Sequence, residues 1–223
     1  MFYPPDPDAA PRIVARVADG PHGELVLRRV GDDYEIVSNG VFLMDTRNGE
    51  SERLLVSAAC ERLGAGAEIL IGGLGVGFSL AEALSRADVS AVTVVEMLRP
   101  VVDWHAGPLR RFSGGLDDPR VEIACADLRG WLRRDQRTFD AICLDVDNGP
   151  GWTVVPENAE LYGDSGLELV ASRLRSGGVL SVWSAAADTA FAARLRRHFV
   201  DVAEHEVPVP RGDPDVVFTA TRP

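Results

Sequence analysis

EILIGGLGVG (68–77) is an apolar run of strand length that breaks into four glycines, and FSLAEALSRA (78–87) continues it with apolar residues at helical spacing. Strand, glycine-rich turn and helix in that order form the opening of a β–α–β unit. Outward from this stretch the alternation repeats. VSAVTVVE (89–96) is a second strand that ends in an acid, Met97 to His105 a helix, RVEIACAD (120–127) a third strand and LRGWLRR (128–134) a short helix. FDAICLDVD (139–147) is a fourth strand, Leu161 to Leu174 a helix and GGVLSVWSA (177–185) a fifth strand. Thr189 to Phe199 gives the last helix, and VAEHEVPV (202–209) with DVVFTATR (215–222) a closing hairpin. Alternation of this kind requires right-handed crossovers, so the expected fold is α/β, a doubly wound, mostly parallel seven-stranded sheet. Ligands bind such sheets beyond the carboxyl ends of the strands, where the strand order reverses.

Upstream, ELVLRRVGDDYEIVSNGVF (24–42) reads as two alternating strands joined at Gly31 to Asp33, with Asn39-Gly40 as a further turn. SERLLVSAACERL (51–63) reads as an amphipathic helix with Ser51 and Glu52 near its start. The chain divides on this reading into a small N-terminal β element, residues 1–50, and a nucleotide-binding α/β domain, residues 51–223. The stretches from Asp6 to Pro21 and from Pro208 to Pro214 read as loops.

Four features carry chemistry. Glycines between a strand and a helix leave backbone N–H groups open to a close ligand, although the same pattern also serves plain helix-on-strand packing. Glu96 stands nineteen residues past Gly77 at the end of the second strand, where a carboxylate can accept both ribose hydroxyls. Asp127 ends the third strand and can accept from the exocyclic amine of an adenine, cap the following helix, or both. Asp145, Asp147 and Asn148 crowd the end of the fourth strand; such acids suit a general base or a cation receptor, and the same residue types also build turns. Trp183 and Ser184, at the end of the fifth strand, read as packing or as a wall of an acceptor pocket.

The glycine loop, VVEMLRPVVD (94–103), ADLRGWL (126–132), FDAICLDVDNGP (139–150) and the stretch from NAELY to LRSGGVLSVW (158–183) together resemble the polyamine aminopropyltransferases, the spermidine and spermine synthases. More broadly the arrangement is similar to the class I methyltransferase fold. The resemblance covers residues 24 to 221 and implies S-adenosylmethionine or its decarboxylated form as co-substrate, an aminopropyl or methyl group transferred, and a small cationic amine as acceptor. By this match Gly72, Gly73, Gly75 and Gly77 line the nucleotide, Glu96 takes the ribose, and Asp127 with Leu128 takes the adenine. Asp145, Asp147 and Tyr162 are the catalytic candidates, deprotonating or orienting the amine. The resemblance also implies a homodimer through the N-terminal β element. The chain departs from the family pattern in three places: Gly75 stands where the family loop has an aspartate, Leu43 where it has a glutamine, and the turn after Asp145 is short.

Composition narrows the classes. All 23 basic residues are arginine, so no lysine is present for a pyridoxal Schiff base or a Walker A loop. A formal charge of −11 opposes nucleic acid and favours cationic ligands. Cys60, Cys125 and Cys143 lie in apolar runs and read as buried thiols of a reduced compartment, the four histidines have no metal-ligand spacing, and no metal is expected. No apolar run reaches membrane-spanning length and Met1 to Pro11 has no leader-like pattern, so a cytoplasmic protein without membrane partners is expected. Two other readings stay open: a binding protein that kept the nucleotide fold without turnover, and a methyltransferase for a non-polyamine small molecule. A nicotinamide oxidoreductase shares the loop and the acid, but DNGP (147–150) offers it no hydride-transfer role.

Overall fold

The structure is a computed structural model that describes residues 10–20, 23–153, 156–210 and 212–223. The chain start read as lacking a leader lies almost wholly outside the described residues, as does His22. Two sheets form. The first is an antiparallel meander of β1 (Arg12–Gly20), β2 (Gly23–Val30), β3 (Asp33–Ser38) and β4 (Val41–Asp45), in that order. Ser38 pairs with Val41, so Asn39 and Gly40 make a two-residue turn, and both have positive φ, +49° and +80°. That is the turn whose twist matches the flanking strands. β1 corrects the loop reading of 6–21: RIVARVADG pairs with β2 from Arg12↔Arg29 to Gly20↔Gly23.

The second sheet holds β5 (Ala67–Gly72), β6 (Val89–Glu96), β7 (Val121–Cys125), β8 (Phe139–Leu144), β9 (Leu174–Ser184), β10 (Val200–Val207) and β11 (Asp215–Thr221). Their order is β10-β11-β9-β8-β5-β6-β7, with β5 to β9 parallel and β11 antiparallel to both neighbours. The expected doubly wound, seven-stranded sheet is therefore present. Chain direction across the sheet reverses beside β5: β6 and β7 build to one side, β8 and β9 to the other. The loops after β5 and β8 consequently part at the carboxyl edge, joined below it by the Asp145 amide donating to the Gly72 carbonyl at 2.8 Å.

Helices cover both faces. α1 (Glu50–Cys60), α2 (Phe78–Ser85) and α3 (Arg99–Trp104) bury Leu55, Leu80 and Trp104 in one core, into which the first sheet also sends Leu25, Leu27 and Ile36. α4 (Arg110–Ser113) is one short turn beyond α3. α5 (Leu128–Arg134), α6 (Asp164–Ser172) and α7 (Thr189–His198) bury Leu132, Leu167 and Leu195 in the core on the other face. The single helix expected from Leu161 to Leu174 is instead a 3₁₀ turn, Pro156–Tyr162, then α6, with Leu174 already in β9. Gly163, extended at φ −78° and ψ 172°, separates the two. Cys60 and Cys143 are buried as expected, but Cys125 is exposed, because β7 is an edge strand with no neighbour beyond it among the described residues. Among the described residues no helix is long and apolar enough to cross a membrane.

Candidate active site

The parted loops border a cavity of about 230 Å³ at the carboxyl edge of the sheet. Its floor is Gly73 and Gly75 of the loop after β5. Gly73 has φ +92°, its amide donates to the Val95 carbonyl at 2.9 Å, and a Cβ there would stand 2.1 Å from the Asp145 carbonyl oxygen. Only glycine fits two strands that approach this closely. Gly73→Ala is expected to cost about 3 kcal/mol, a fall in Tm of roughly 6–12 °C measured by calorimetry, through strain and collision together. Gly75, at φ +50°, faces Met44 of β4, whose Sδ is 2.5 Å from where a Cβ would lie. Gly72 and Gly77 are placed differently: Gly72 packs on Leu128, and Gly77 caps α2 against Ser113 and His105. Neither borders the cavity.

Glu96 ends β6, 8% exposed, and lines the cavity. One carboxylate oxygen accepts from the Leu74 amide at 2.9 Å and the other from the Leu98 amide at 2.7 Å. Burial raises its pKa, and the surrounding backbone amides oppose that shift. The Leu74 and Leu98 amides fix the group in place at the border of the cavity. Asp127 caps α5, accepting from the Gly130 amide at 2.7 Å, and borders the cavity together with Leu128. Both readings of Asp127 are thus geometrically compatible.

Opposite them lie Asp145, Val146, Asp147 and Asn148. Among the described residues Asp145 accepts no side-chain hydrogen bond, and its pKa is driven well up, first by burial and then by the acids Glu52, Asp215 and Glu96. Glu52 and Asp215 are themselves raised, burial again leading, and Ser51 Oγ lies 2.9 Å from one and 2.8 Å from the other. The single Ser51 hydroxyl thus bridges the two acids. Asp147 has φ +56° and accepts from Asn158 Nδ2 at 2.7 Å. Tyr162 is 1% exposed and lies behind this turn, its hydroxyl donating to the Val146 carbonyl at 2.8 Å. It does not border the cavity. Trp183 packs with the first core and Ser184 donates to the Ala186 carbonyl, so neither walls the cavity.

Of the remaining lining residues, only Asn39 and Leu43 lie on a segment that the family resemblance places at the active site. Ile36, Ser38, Asn39, Leu43 and Met44 of the first sheet form the roof, and Asn158 of the 3₁₀ turn closes the acidic side. The departure from the family pattern at Leu43 was a signal for the roof; Asn158 gave none.

The spermine/spermidine synthase domain model matches residues 50–193. The chain belongs to the spermine/spermidine synthase family. Polyamine aminopropyltransferase 2 of Pseudomonas aeruginosa is 32% identical over 250 residues, covering 94% of this chain and 68% of that one. Polyamine aminopropyltransferase of Mycobacterium tuberculosis is 29% identical over 165 residues, 71% of this chain and 30% of that one. Putrescine N-methyltransferase 4 of Nicotiana tabacum is 30% identical over 124 residues, 52% of this chain and 30% of that one. A crystal structure of spermidine synthase in complex with the transition state analogue AdoDATO superposes with a TM-score of 0.76 at 18% identity, covering 95% of this chain and 73% of that one. At that identity the likeness shows the fold alone.

Proposed function

We propose that the cavity binds decarboxylated S-adenosylmethionine or S-adenosylmethionine, and that the chain transfers an aminopropyl or methyl group from it to a small cationic amine. The observation that carries this is the pairing across one cavity of a fixed acceptor, Glu96, with an acid that has no hydrogen-bonding partner among the described residues, Asp145. Gly73 and Gly75 border the cavity without side chains, Glu96 offers its carboxylate to ribose hydroxyls, and Asp127 with Leu128 offers an acceptor and an apolar face to adenine. A bound sulfonium supplies an activated carbon. The chain's own task is then to bring an amine to it uncharged.

An alkylammonium holds its proton to a pKa of about 10, so the amine must lose it before attack. Asp145, with a raised pKa, is a stronger base than an ordinary carboxylate, and Asp147 lines the same cavity two residues on, placed to receive the incoming cation. The nitrogen lone pair forms the N–C bond as the C–S bond breaks, its electrons return to sulfur, and a neutral thioether leaves. Tyr162 acts as a positioning residue that holds the Val146 carbonyl between the two aspartates. Tyr162→Phe is expected to lower stability by about 1 kcal/mol in urea denaturation and kcat by less than tenfold. A hundredfold loss of kcat would instead place its hydroxyl in the chemistry.

A specific observation favours methyl transfer as a second reading. The residue at 75 carries no carboxylate to hold a donor ammonium, and the thioether of Met44 fills the adjoining space. Incubation with each nucleotide and a panel of diamines, read by mass spectrometry, tests both: an aminopropylated or a methylated amine supports transfer and names the group, and neither product would remove the proposal. The division into residues 1–50 and 51–223, a cytoplasmic location and a dimer through the N-terminal sheet belong to the same proposal. Exposed Ile13, Val14, Val41 and Phe42 on the outer strands β1 and β4 support the dimer, and sedimentation of the purified chain tests it.

A further inference from the structure

His105 is the C-cap residue of α3, is 1% exposed, and has no part in the reading above. Its Nε2 lies 3.0 Å from the Gly75 carbonyl oxygen, and its Nδ1 lies 3.0 Å from Ser113 Oγ. A carbonyl can only accept, so Nε2 carries the hydrogen, and Nδ1 is left to accept from the Ser113 hydroxyl. Ser113, itself fully buried, accepts in turn from the Gly115 amide at 3.3 Å. The Ser113 hydroxyl also lies 3.4 Å from the Arg110 carbonyl, but Nδ1 at 3.0 Å is its closer acceptor, which gives one directed chain of donors from Gly115 through Ser113 and His105 to Gly75. Burial pushes the His105 pKa down, which keeps the ring neutral and this direction intact at physiological pH.

Gly75 borders the cavity, and it is held at both ends. Its amide lies against the Glu96 carboxylate and its carbonyl is drawn back by His105. A glycine at φ +50° can otherwise rotate its peptide planes at little cost, which would turn the carbonyl and disturb the amides that orient Glu96. We propose that His105 is a positioning residue of the donor pocket: through the Nε2–H bond to the Gly75 carbonyl it fixes the glycine loop in the form that receives the nucleotide. The inference rests on the reading of the cavity as an adenosine site, and nothing in the family resemblance assigns a role to this position.

Three variants separate a positioning role from simple packing. Glutamine places its amide nitrogen where Nε2 stands, whereas asparagine reaches only the Nδ1 position and phenylalanine supplies neither donor. Calorimetric titration with 5′-methylthioadenosine is expected to give His105→Gln within about threefold of the wild type. His105→Asn and His105→Phe are expected to be about tenfold weaker or more, the loss of one buried hydrogen bond, with the KM of the amine acceptor unchanged. Asparagine binding as tightly as the wild type, or glutamine failing as badly as asparagine, overturns the inference. If the wild type itself does not bind, the adenosine reading fails first, so the two failures are distinct. Should the variants not fold, the imidazole ¹⁵N resonances of the wild type decide: an Nε2–H tautomer that shifts on adding methylthioadenosine is expected, and an Nδ1–H tautomer overturns it.

Discussion

Asp145→Asn is expected to lower kcat by about 10²- to 10⁴-fold, the range associated with loss of a general base, while nucleotide affinity stays within a few fold of the wild type. The substitution keeps the shape of the residue and removes only its ability to take a proton from the amine. The pH dependence sharpens the expectation. Burial, with Glu52, Asp215 and Glu96 nearby, raises the Asp145 pKa well above 3.8, so in the free protein it holds its proton to higher pH than an exposed aspartate. Its basic form accumulates as pH rises, and kcat/KM should climb with an inflection above the ordinary carboxylate range; in Asp145→Asn that inflection should vanish. Stability runs the opposite way. A folded-state pKa above the unfolded one stabilises fully below the unfolded value, and that contribution is lost as pH rises through the folded value. A diamine bound among the deprotonated acids offsets the loss, so the rise in Tm on adding it should grow as pH rises through the folded-state value. A Tm shift independent of pH would contradict the placement of the amine beside these acids.

Glu96→Ala is expected to weaken nucleotide binding by at least a hundredfold in calorimetric titration and to lower stability by about 2–4 kcal/mol. Two effects add. The ribose hydroxyls lose their acceptor, at about 1.5–3 kcal/mol for each hydrogen bond to a charged group. The Leu74 and Leu98 amides lose theirs as well, and buried N–H groups without partners are costly. The amine KM should move little, because the acidic edge lies across the cavity.

The parts of the fold legible in the sequence are those whose cause is local. The strand of residues 67–72, its glycine turn and the acid at 96 follow from periodicity and from backbone geometry that only glycine allows, and Asn39-Gly40 specifies its hairpin within two residues. β1 was misread because RIVARVADG alternates only weakly between Pro11 and Gly20, so turn-forming neighbours outweighed it. Cys125 was misread because an apolar run does not reveal whether its strand lies at a sheet edge. The roof of the cavity depends on how the first sheet docks: Met44 meets Gly75 across thirty-one residues of chain, and no local pattern specifies that contact. His105 gave no signal either, since a lone histidine in an apolar helix carries no ligand spacing, and its partners emerge only when α3 is laid beside the glycine loop.

The most direct measurement is titration of the wild-type chain with decarboxylated S-adenosylmethionine, in parallel with Glu96→Ala. One nucleotide bound per chain, with affinity lost in the variant, is the result expected if the glycine loop and Glu96 hold an adenosine facing the acidic turn. No heat of binding to the wild type, or binding that the variant leaves intact, would contradict it.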